Sequence, residues 1–462
     1  MRSLLVLDVV GLTPGLVGDD TPNLQALARS GFQASVRPVL PAVTCSCQST
    51  LLTGLRPRDH GIVGNGWYFR ELSEVLFWKQ SNRLVAGTKL WETGRQRDQD
   101  FRCATMFWWY NMYSSADYSV TPRPIYPADG RKIPSFYANP PELKSELEGR
   151  FGNFPLFRFW GPTADIRSTD WIASASRYVL EKHRPTLTLV YLPHLDYDLQ
   201  RFGPDFDGLG AALREVDRAA GELIDAARAL DMEIVVLSEY GITAVTDSVS
   251  INRILRRAGW LAVQETLGWE LLDAGASRAF AVSDHQVAHV YVKDRRDVPA
   301  VRRLLEETEG IDQVLGEDGK AELGLDHPRS GELVAVAAAD RWFDYYYWLD
   351  DRRAPDFART VDIHRKPGYD PAELVFDPEI SRLKLKILGK LARKKLGFRT
   401  LLDVVPLDPR LVRGSHGRLP ERLEDGPLLI SSSVAQKTDT LEMTEVADLL
   451  LDTIFTAAGT TR

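Results

Sequence analysis

Three carboxylates occupy comparable places in this chain, each following an apolar run. Asp8 closes Leu4–Leu7. Asp196 follows Leu187–Leu192 and the turn Pro193-His194-Leu195. Glu239 follows Glu233–Leu237 and Ser238. One such carboxylate alone reads as an ion pair or a helix cap. A set of them at successive strand ends suits a divalent metal, because hard and borderline cations take carboxylate oxygen and imidazole nitrogen. The nucleophile candidate is Thr44, in Pro41-Ala42-Val43-Thr44-Cys45-Ser46-Cys47-Gln48. A strand is expected to end near Leu40, and a helix to run over 45–53 with Gly54 at its end. At a helix N-terminus, backbone N–H groups and the dipole favour an anion such as phosphate. A hydroxyl placed there beside a cation can ionise and attack phosphorus. Taken alone, Thr44 reads as an N-cap.

The elements that must position these groups follow from the same runs. Strands are expected at 3–7, 35–40, 187–192 and 233–237, and helices at 22–30 and 207–230. Buried strands alternating with helices predict an α/β fold whose mostly parallel sheet is covered on both faces. Sites in such sheets form at the carboxyl ends of the strands, where Asp8, Asp196 and Glu239 would converge. The 462 residues are 44% hydrophobic and 26% charged, which excludes disordered and collagen-like classes. The expected organisation is a core over 1–278 and 401–462, a loop-rich insertion over 106–166, and a smaller α/β cap lobe over 279–400. That lobe should hold strands near 287–292 and 332–338 and a helix near 298–309.

Net charge is −7, so a nucleic-acid polymer is not the expected partner. Three cysteines, Cys45, Cys47 and Cys103, make no disulfide framework and suggest a reducing compartment. The run at Leu4–Leu7 is interrupted by Asp8 and lacks a cleavage site, so a signal peptide is not expected and a cytoplasmic location is.

Read together, the motifs resemble the alkaline phosphatase superfamily, in its nucleotide pyrophosphatase/phosphodiesterase and phosphonoacetate hydrolase branch. The resemblance runs through Asp8-Val9-Val10-Gly11-Leu12, Pro41-Ala42-Val43-Thr44, Thr53-Gly54-Leu55-Arg56-Pro57 and His60-Gly61-Ile62-Val63-Gly64-Asn65. It continues at Leu195-Asp196-Tyr197-Asp198-Leu199-Gln200, Ser238-Glu239-Tyr240-Gly241 and Gly414-Ser415-His416-Gly417. What it implies is a site for two divalent metal ions, usually zinc. Asp8, Thr44 and the Glu239-Tyr240 pair would hold one ion; Asp196, Gln200 and His416 would hold the other. Thr44 would be the catalytic nucleophile on a small phosphorylated substrate, and Asn65 would hold a phosphate oxygen.

Three departures from that pattern bear on the chemistry. Glu239-Tyr240 stands where the family has Asp-His, and Tyr is a poor ligand unless ionised. Gln200 stands where the family has His, and an amide oxygen suits harder ions than zinc. Thr44-Cys45-Ser46-Cys47 stands where nucleotide pyrophosphatases often read Thr-Phe-Pro-Asn. Zinc is still the expected ion, with Mn²⁺, Mg²⁺ or Ca²⁺ and single-metal occupancy as the alternatives these departures open. The functional expectation is a metal-dependent phosphate ester or diester hydrolase. The alternatives are phosphonate hydrolysis and a non-catalytic binding protein with a decayed metal site. The stretch after Cys45 lacks the Pro and Arg of sulfatases.

Other polar and aromatic groups complete the reading. The segment 361–370, with His364 and Lys366, is expected to line the site and bind substrate. His194, His285 and His289 are spare imidazoles. Cys45 and Cys47 read as buried helix cysteines. Aromatics at 107–113 and 342–348 read as core, with a stacking wall as the alternative. The run 382–399 holds eight Lys or Arg and no acid, interleaved with leucines. It suits an anionic lipid surface or a phosphate substrate, and its plain reading is a solvated helix packed on the core.

Overall fold

The computed structural model describes residues 1–456. The main sheet has nine strands. In chain order they are Leu4–Val9 (β1), Phe32–Arg37 (β2), Cys103–Met106 (β3), Tyr118–Pro122 (β4), Phe136–Asn139 (β5), Leu187–Leu192 (β6), Glu233–Leu237 (β7), Leu428–Ser431 and Thr440–Glu442. Across the sheet the order is Thr440–Glu442, β2, Leu428–Ser431, β7, β1, β6, β3, β4, β5. The middle five, β7-β1-β6-β3-β4, run parallel, and antiparallel strands flank them.

The apolar runs at β1 and β6 are buried along their whole length. Both faces must then be covered, which is the parallel-sheet condition. Helices Ile166–His183, Leu209–Ala229 and Pro22–Ser30 pack together on one face, and Thr44–Thr53 and Val446–Phe455 pack together on the other. Register carries the site: Asp8 is level with Tyr191 of β6 and Leu237 of β7, the last or next-to-last residue of each. The segments after β1, β6 and β7 therefore leave the sheet at one edge.

Two expectations change in detail. The second strand is Phe32–Arg37 rather than 35–40. Its buried residues alternate with half-buried ones, the period-two signature of a strand near the sheet margin. The stretch 106–166 does not stand apart as loops. Its strands β4 and β5 extend the main sheet, and helix Pro141–Phe151 follows them. Short strands bounded by prolines carry too little periodicity to be seen in sequence.

A second, four-stranded antiparallel sheet has the order Ala279–Asp284, Val287–Val292, Leu333–Ala337, Ile311–Leu315. Helix Val298–Glu306 packs beside it. Its hydrophobic core reaches back before residue 279 to Ile251, Leu255 and Leu261. Tyr345, Tyr346 and Trp348 are buried in that core, so the aromatic run 342–348 packs rather than lining a wall. Among the described residues, no helix is long and apolar enough to cross a membrane.

Candidate active site

Thr44 is the first residue of helix Thr44–Thr53, and Val43 before it is extended. The helix ends at Gly54, whose φ of +69° is the left-handed conformation that glycine adopts without strain. Thr44 is therefore the first helical residue rather than a cap. Its hydroxyl lies 3.0 Å from the Tyr240 hydroxyl, which in turn is 3.3 Å from Asp196 Oδ1. Tyr240 has one proton to give. With that proton directed at Asp196, Thr44 is the donor to Tyr240.

Asp196 sits in the first turn of helix His194–Phe202, where the dipole favours a carboxylate. Gln200, one turn on, donates Nε2–H to Asp196 Oδ2 at 2.8 Å, and its Oε1 accepts from the Tyr369 hydroxyl at 2.9 Å. His416 follows the short strand Gly414–Ser415, which pairs with Thr243–Ala244. Its Nδ1 donates to the Ala42 carbonyl at 2.8 Å, so Nε2 carries the lone pair. That Nε2 is buried without a partner, 4.0 Å from Asp196 Oδ1. The imidazole stacks on the Tyr240 ring at 3.5 Å and lies against His285 at 3.7 Å.

Asp8 and Glu239 complete the cluster. Gln48 Nε2 donates to Asp8 Oδ2 at 3.2 Å and to Glu239 Oε1 at 2.6 Å. Gln48 Oε1 accepts from the Trp109 backbone N–H at 2.7 Å, which fixes the amide's orientation. Gln48 lies four residues after Thr44 and so on the same helix face. The other oxygens, Asp8 Oδ1 and Glu239 Oε2, are buried with no donor. Burial pushes Asp8 up to about 7 and Asp196 up to about 7. It raises Glu239 well above the carboxylate range, with the Asp8 charge adding to it. Burial also holds the Tyr240 phenol well above 10, so it stays a neutral hydroxyl.

These residues do not fit a two-zinc centre. At the second position, both Asp196 oxygens already accept protein hydrogen bonds, and Gln200 presents its NH₂ rather than its oxygen. Asp196 and His416 alone remain there. Among the described residues, no three His, Cys, Asp or Glu side chains converge as a metal set. The first position does fit one hard, oxygen-preferring cation. Asp8 Oδ1 and Glu239 Oε2 are both buried and free of donors.

Asn65 joins the two sheets. Its Oδ1 accepts from Cys45 N–H at 3.0 Å at the start of the Thr44 helix. Its backbone N–H and its Nδ2 donate to the two Asp284 oxygens at 2.7 and 3.0 Å. One amide hydrogen of Asn65 thus lies outside the Asp284 contact. Lys366 is not a free cation. It is buried and paired with Asp370 and Glu373, each at 2.7 Å. His364 is solvent-exposed. His194 lies 3.0 Å from Glu215, and His289 from 2.8 Å reaches the Val63 carbonyl, so neither replaces a ligand. Cys45 and Cys47 are buried thiols raised by burial.

Sequence reasoning missed Gln48 and Asp284, whereas His285 was read as a spare imidazole and Tyr369 lies in the 361–370 segment expected to line the site. Only Gln48 left a signal, its four-residue spacing from Thr44. Thr44 is 4% exposed. A cleft of about 270 Å³ reaches its neighbours Tyr240 and His416, with Arg418 also on its wall.

Comparisons with known proteins bear on this geometry. The phosphonoacetate hydrolase of Sinorhizobium meliloti in complex with phosphonoformate superposes with a TM-score of 0.62 at 14% identity, covering 98% of this chain and 96% of that one. An inactive murine ectonucleotide pyrophosphatase/phosphodiesterase 5 in complex with AMP gives 0.60 at 14% identity, covering 100% and 97%. These likenesses show the fold, an alkaline phosphatase-like α/β core. An uncharacterized pyrophosphatase/phosphodiesterase of Schizosaccharomyces pombe is 27% identical over 238 residues, 49% of this chain and 42% of that protein. Ectonucleotide pyrophosphatase/phosphodiesterase family member 7 of Mus musculus is 25% identical over 285 residues, 59% and 56% respectively. The chain spans about half the length of these curated relatives. The sequence profile described as Type I phosphodiesterase / nucleotide pyrophosphatase matches residues 4–370, most of the chain. With that match and the motif order from Asp8 to His416, the chain belongs to the type I phosphodiesterase/nucleotide pyrophosphatase family.

Proposed function

We propose that this chain hydrolyses a small phosphate ester or diester, with Thr44 as nucleophile and one divalent cation at Asp8, Glu239 and Thr44. The carrying observation is the placement of a buried Thr44 hydroxyl at a helix start, 3.0 Å from Tyr240 and beside two carboxylates that each keep an oxygen without a donor. Mn²⁺, Mg²⁺ or Ca²⁺ suits that oxygen set better than zinc. Bound there, the cation would offset the two carboxylate charges and lower the barrier to ionising the hydroxyl.

The chain's own groups supply the rest. Thr44 Oγ forms a bond to phosphorus as the bond to the leaving alcohol breaks, giving a phosphoryl-threonine and an alcohol. Water then breaks the threonine ester and releases the phosphate product. On attack the Thr44 proton would pass to the Tyr240 oxygen while the Tyr240 proton passes to Asp196 Oδ1, 3.3 Å away. The helix dipole at Thr44 favours the phosphoryl group's negative charge, and the remaining Asn65 amide hydrogen suits one of its oxygens. The likeness to phosphonoacetate hydrolase supports phosphonate cleavage as an alternative chemistry on the same groups.

One observation favours a different reading, a phosphate-binding protein without turnover. The Gln48 amide already bridges Asp8 and Glu239, and Tyr240 fills the space between Thr44 and Asp196. The two readings separate by metal analysis of protein purified without chelator, combined with aryl phosphodiester turnover in Mn²⁺, Mg²⁺ or Zn²⁺. Hydrolysis predicts activity that Thr44→Ala removes by about 10³-fold or more. Equal activity in both proteins removes the nucleophile assignment. No bound metal and no turnover under any cation supports the binding reading.

A further inference from the structure

The basic stretch found in sequence becomes a helix, Leu383–Lys395, that buries none of its residues. Both its faces carry apolar residues. The half-buried positions, turned toward the protein, are Leu383, Lys386, Ile387 and Lys390. Both lysines are held there. Lys386 Nζ donates to the Asp403 carbonyl at 2.8 Å, Lys390 Nζ donates to the Leu401 carbonyl at 2.8 Å, and both pair with the Asp403 carboxylate. The opposite face is a stripe of Leu385, Leu388, Ala392 and Leu396, at the spacing that aligns side chains along one side of a helix. Leu385, Leu388 and Leu396 are 61, 62 and 75% exposed, and Phe398 just beyond is 58% exposed.

A solvated helix packed on the core would turn that stripe inward and its lysines out. Here Lys386 and Lys390 hold the helix to the body beside half-buried Leu383 and Ile387, and the stripe Leu385, Leu388, Ala392 and Leu396 is left outward. Lys384, Arg393 and Lys395 border the stripe and are exposed. No acid lies between Ser381 and Leu402, in a chain whose net charge is −7. An isologous contact with a second copy would set two such basic helices against each other, with like charges opposed. An anionic bilayer surface matches both features: acyl chains take leucines and a phenylalanine, and headgroup phosphates take the flanking cations.

We infer that Leu383–Lys395 and Phe398 form a docking face for an anionic lipid surface, lying in the interface with the leucine stripe inserted. The thirteen residues give a helix about 20 Å long, suited to lying on a bilayer and too short to cross one. The inference is independent of the hydrolase reading, since the helix contributes nothing to the Thr44 cluster.

The test is co-sedimentation of the full chain with vesicles of phosphatidylcholine alone and with about 30% phosphatidylserine, at about 0.05 and 0.5 M salt. The expected result is binding to the anionic vesicles at least about tenfold tighter than to the neutral ones, and weaker at high salt. The triple variant Leu385→Ala, Leu388→Ala, Leu396→Ala should lose about tenfold or more with its circular dichroism unchanged, because these side chains contact solvent. The variant Lys384→Gln, Arg393→Gln, Lys395→Gln should lose most of the salt dependence. Wild type left in the supernatant with anionic vesicles overturns the proposal. So does anionic binding that the leucine variant retains in full. A dimer by light scattering that the leucine variant breaks, without vesicle binding, assigns the face to a second copy instead.

Discussion

Gln48 sits where its one amide group decides between a cation site and a closed polar cluster. Its NH₂ holds one oxygen of Asp8 and one of Glu239, and leaves the other two without donors. Buried carboxylates in that state share a proton or take a cation, and burial has raised both. Replacing the amide with a third carboxylate, Gln48→Glu, removes the donor and adds like charge at constant shape. In chelator the variant should be destabilised by about 3 kcal/mol or more. Excess Mn²⁺ or Mg²⁺ should restore it by about 2–4 kcal/mol through preferential binding to the folded state. Thermal melts with and without the cation check this, and a variant indifferent to both ions would remove the cation site at Asp8 and Glu239. At the same scale Lys366 is a lesson in context. From sequence it is a cation available to substrate; in the fold its charge is satisfied by Asp370 and Glu373.

At the scale of elements, the cluster depends on two segments far apart in sequence coming close. Helix His194–Phe202 brings Asp196 and Gln200, and the strand Gly414–Ser415 brings His416. Gly414 makes the approach feasible, since a Cβ there would meet the Leu199 carbonyl oxygen at 2.1 Å. Gly414→Ala must therefore push strand from helix. The expected cost is about 3 kcal/mol by urea denaturation. Any turnover should fall with it, because His416 moves relative to Asp196. A variant as stable and as active as wild type would show that the strand has slack. The short strand itself is two residues long and pairs only with Thr243–Ala244, so no periodicity announced it.

At the scale of the whole molecule, buried neutral histidines set the acid limit. His289 Nε2–H donates to the Val63 carbonyl at 2.8 Å, while Nδ1 accepts from Gly331 N–H at 3.2 Å. His60 Nδ1 likewise accepts from Ile62 N–H at 3.1 Å, and its Nε2 meets Thr50. Protonating either ring at Nδ1 breaks a backbone bond. Burial lowers His60 to about 3 and His289 to about 4, against 6.5. For a group depressed on folding, the stability is complete above pH 6.5 and is lost as pH falls toward the folded value. Each ring should cost about 1.4 kcal/mol per pH unit over that window. Asp284, raised by burial to about 6, acts in the opposite sense, losing stability as pH rises from about 4 to 6. The histidine contribution is therefore read as a difference. Wild type should lose more stability than His289→Gln between pH 6.5 and 4.5, and parallel pH profiles would refute it.

What the sequence determined by itself is the parallel core and the end of it where chemistry sits. Continuous apolar runs at 4–7, 187–192 and 233–237 can be buried only as interior strands, and polar residues that follow such strands necessarily emerge at one edge. Asp8, Thr44, Asp196, Gln200, Glu239, Tyr240 and His416 were legible in that way or through the ordered family motifs, and the fold gathers them. The pairing state of each group was not legible. Whether Gln200 offers its oxygen or its NH₂, whether Lys366 is free, and whether Gln48 enters the cluster all depend on neighbours supplied by Tyr369, Asp370, Glu373 and Trp109. Hydrogen-bond donors and charges are local properties of a residue, but their availability is a property of what the tertiary structure packs against them. The same holds for the basic helix: its composition is written in the chain, and only the fold decided that Leu385, Leu388 and Leu396 face outward.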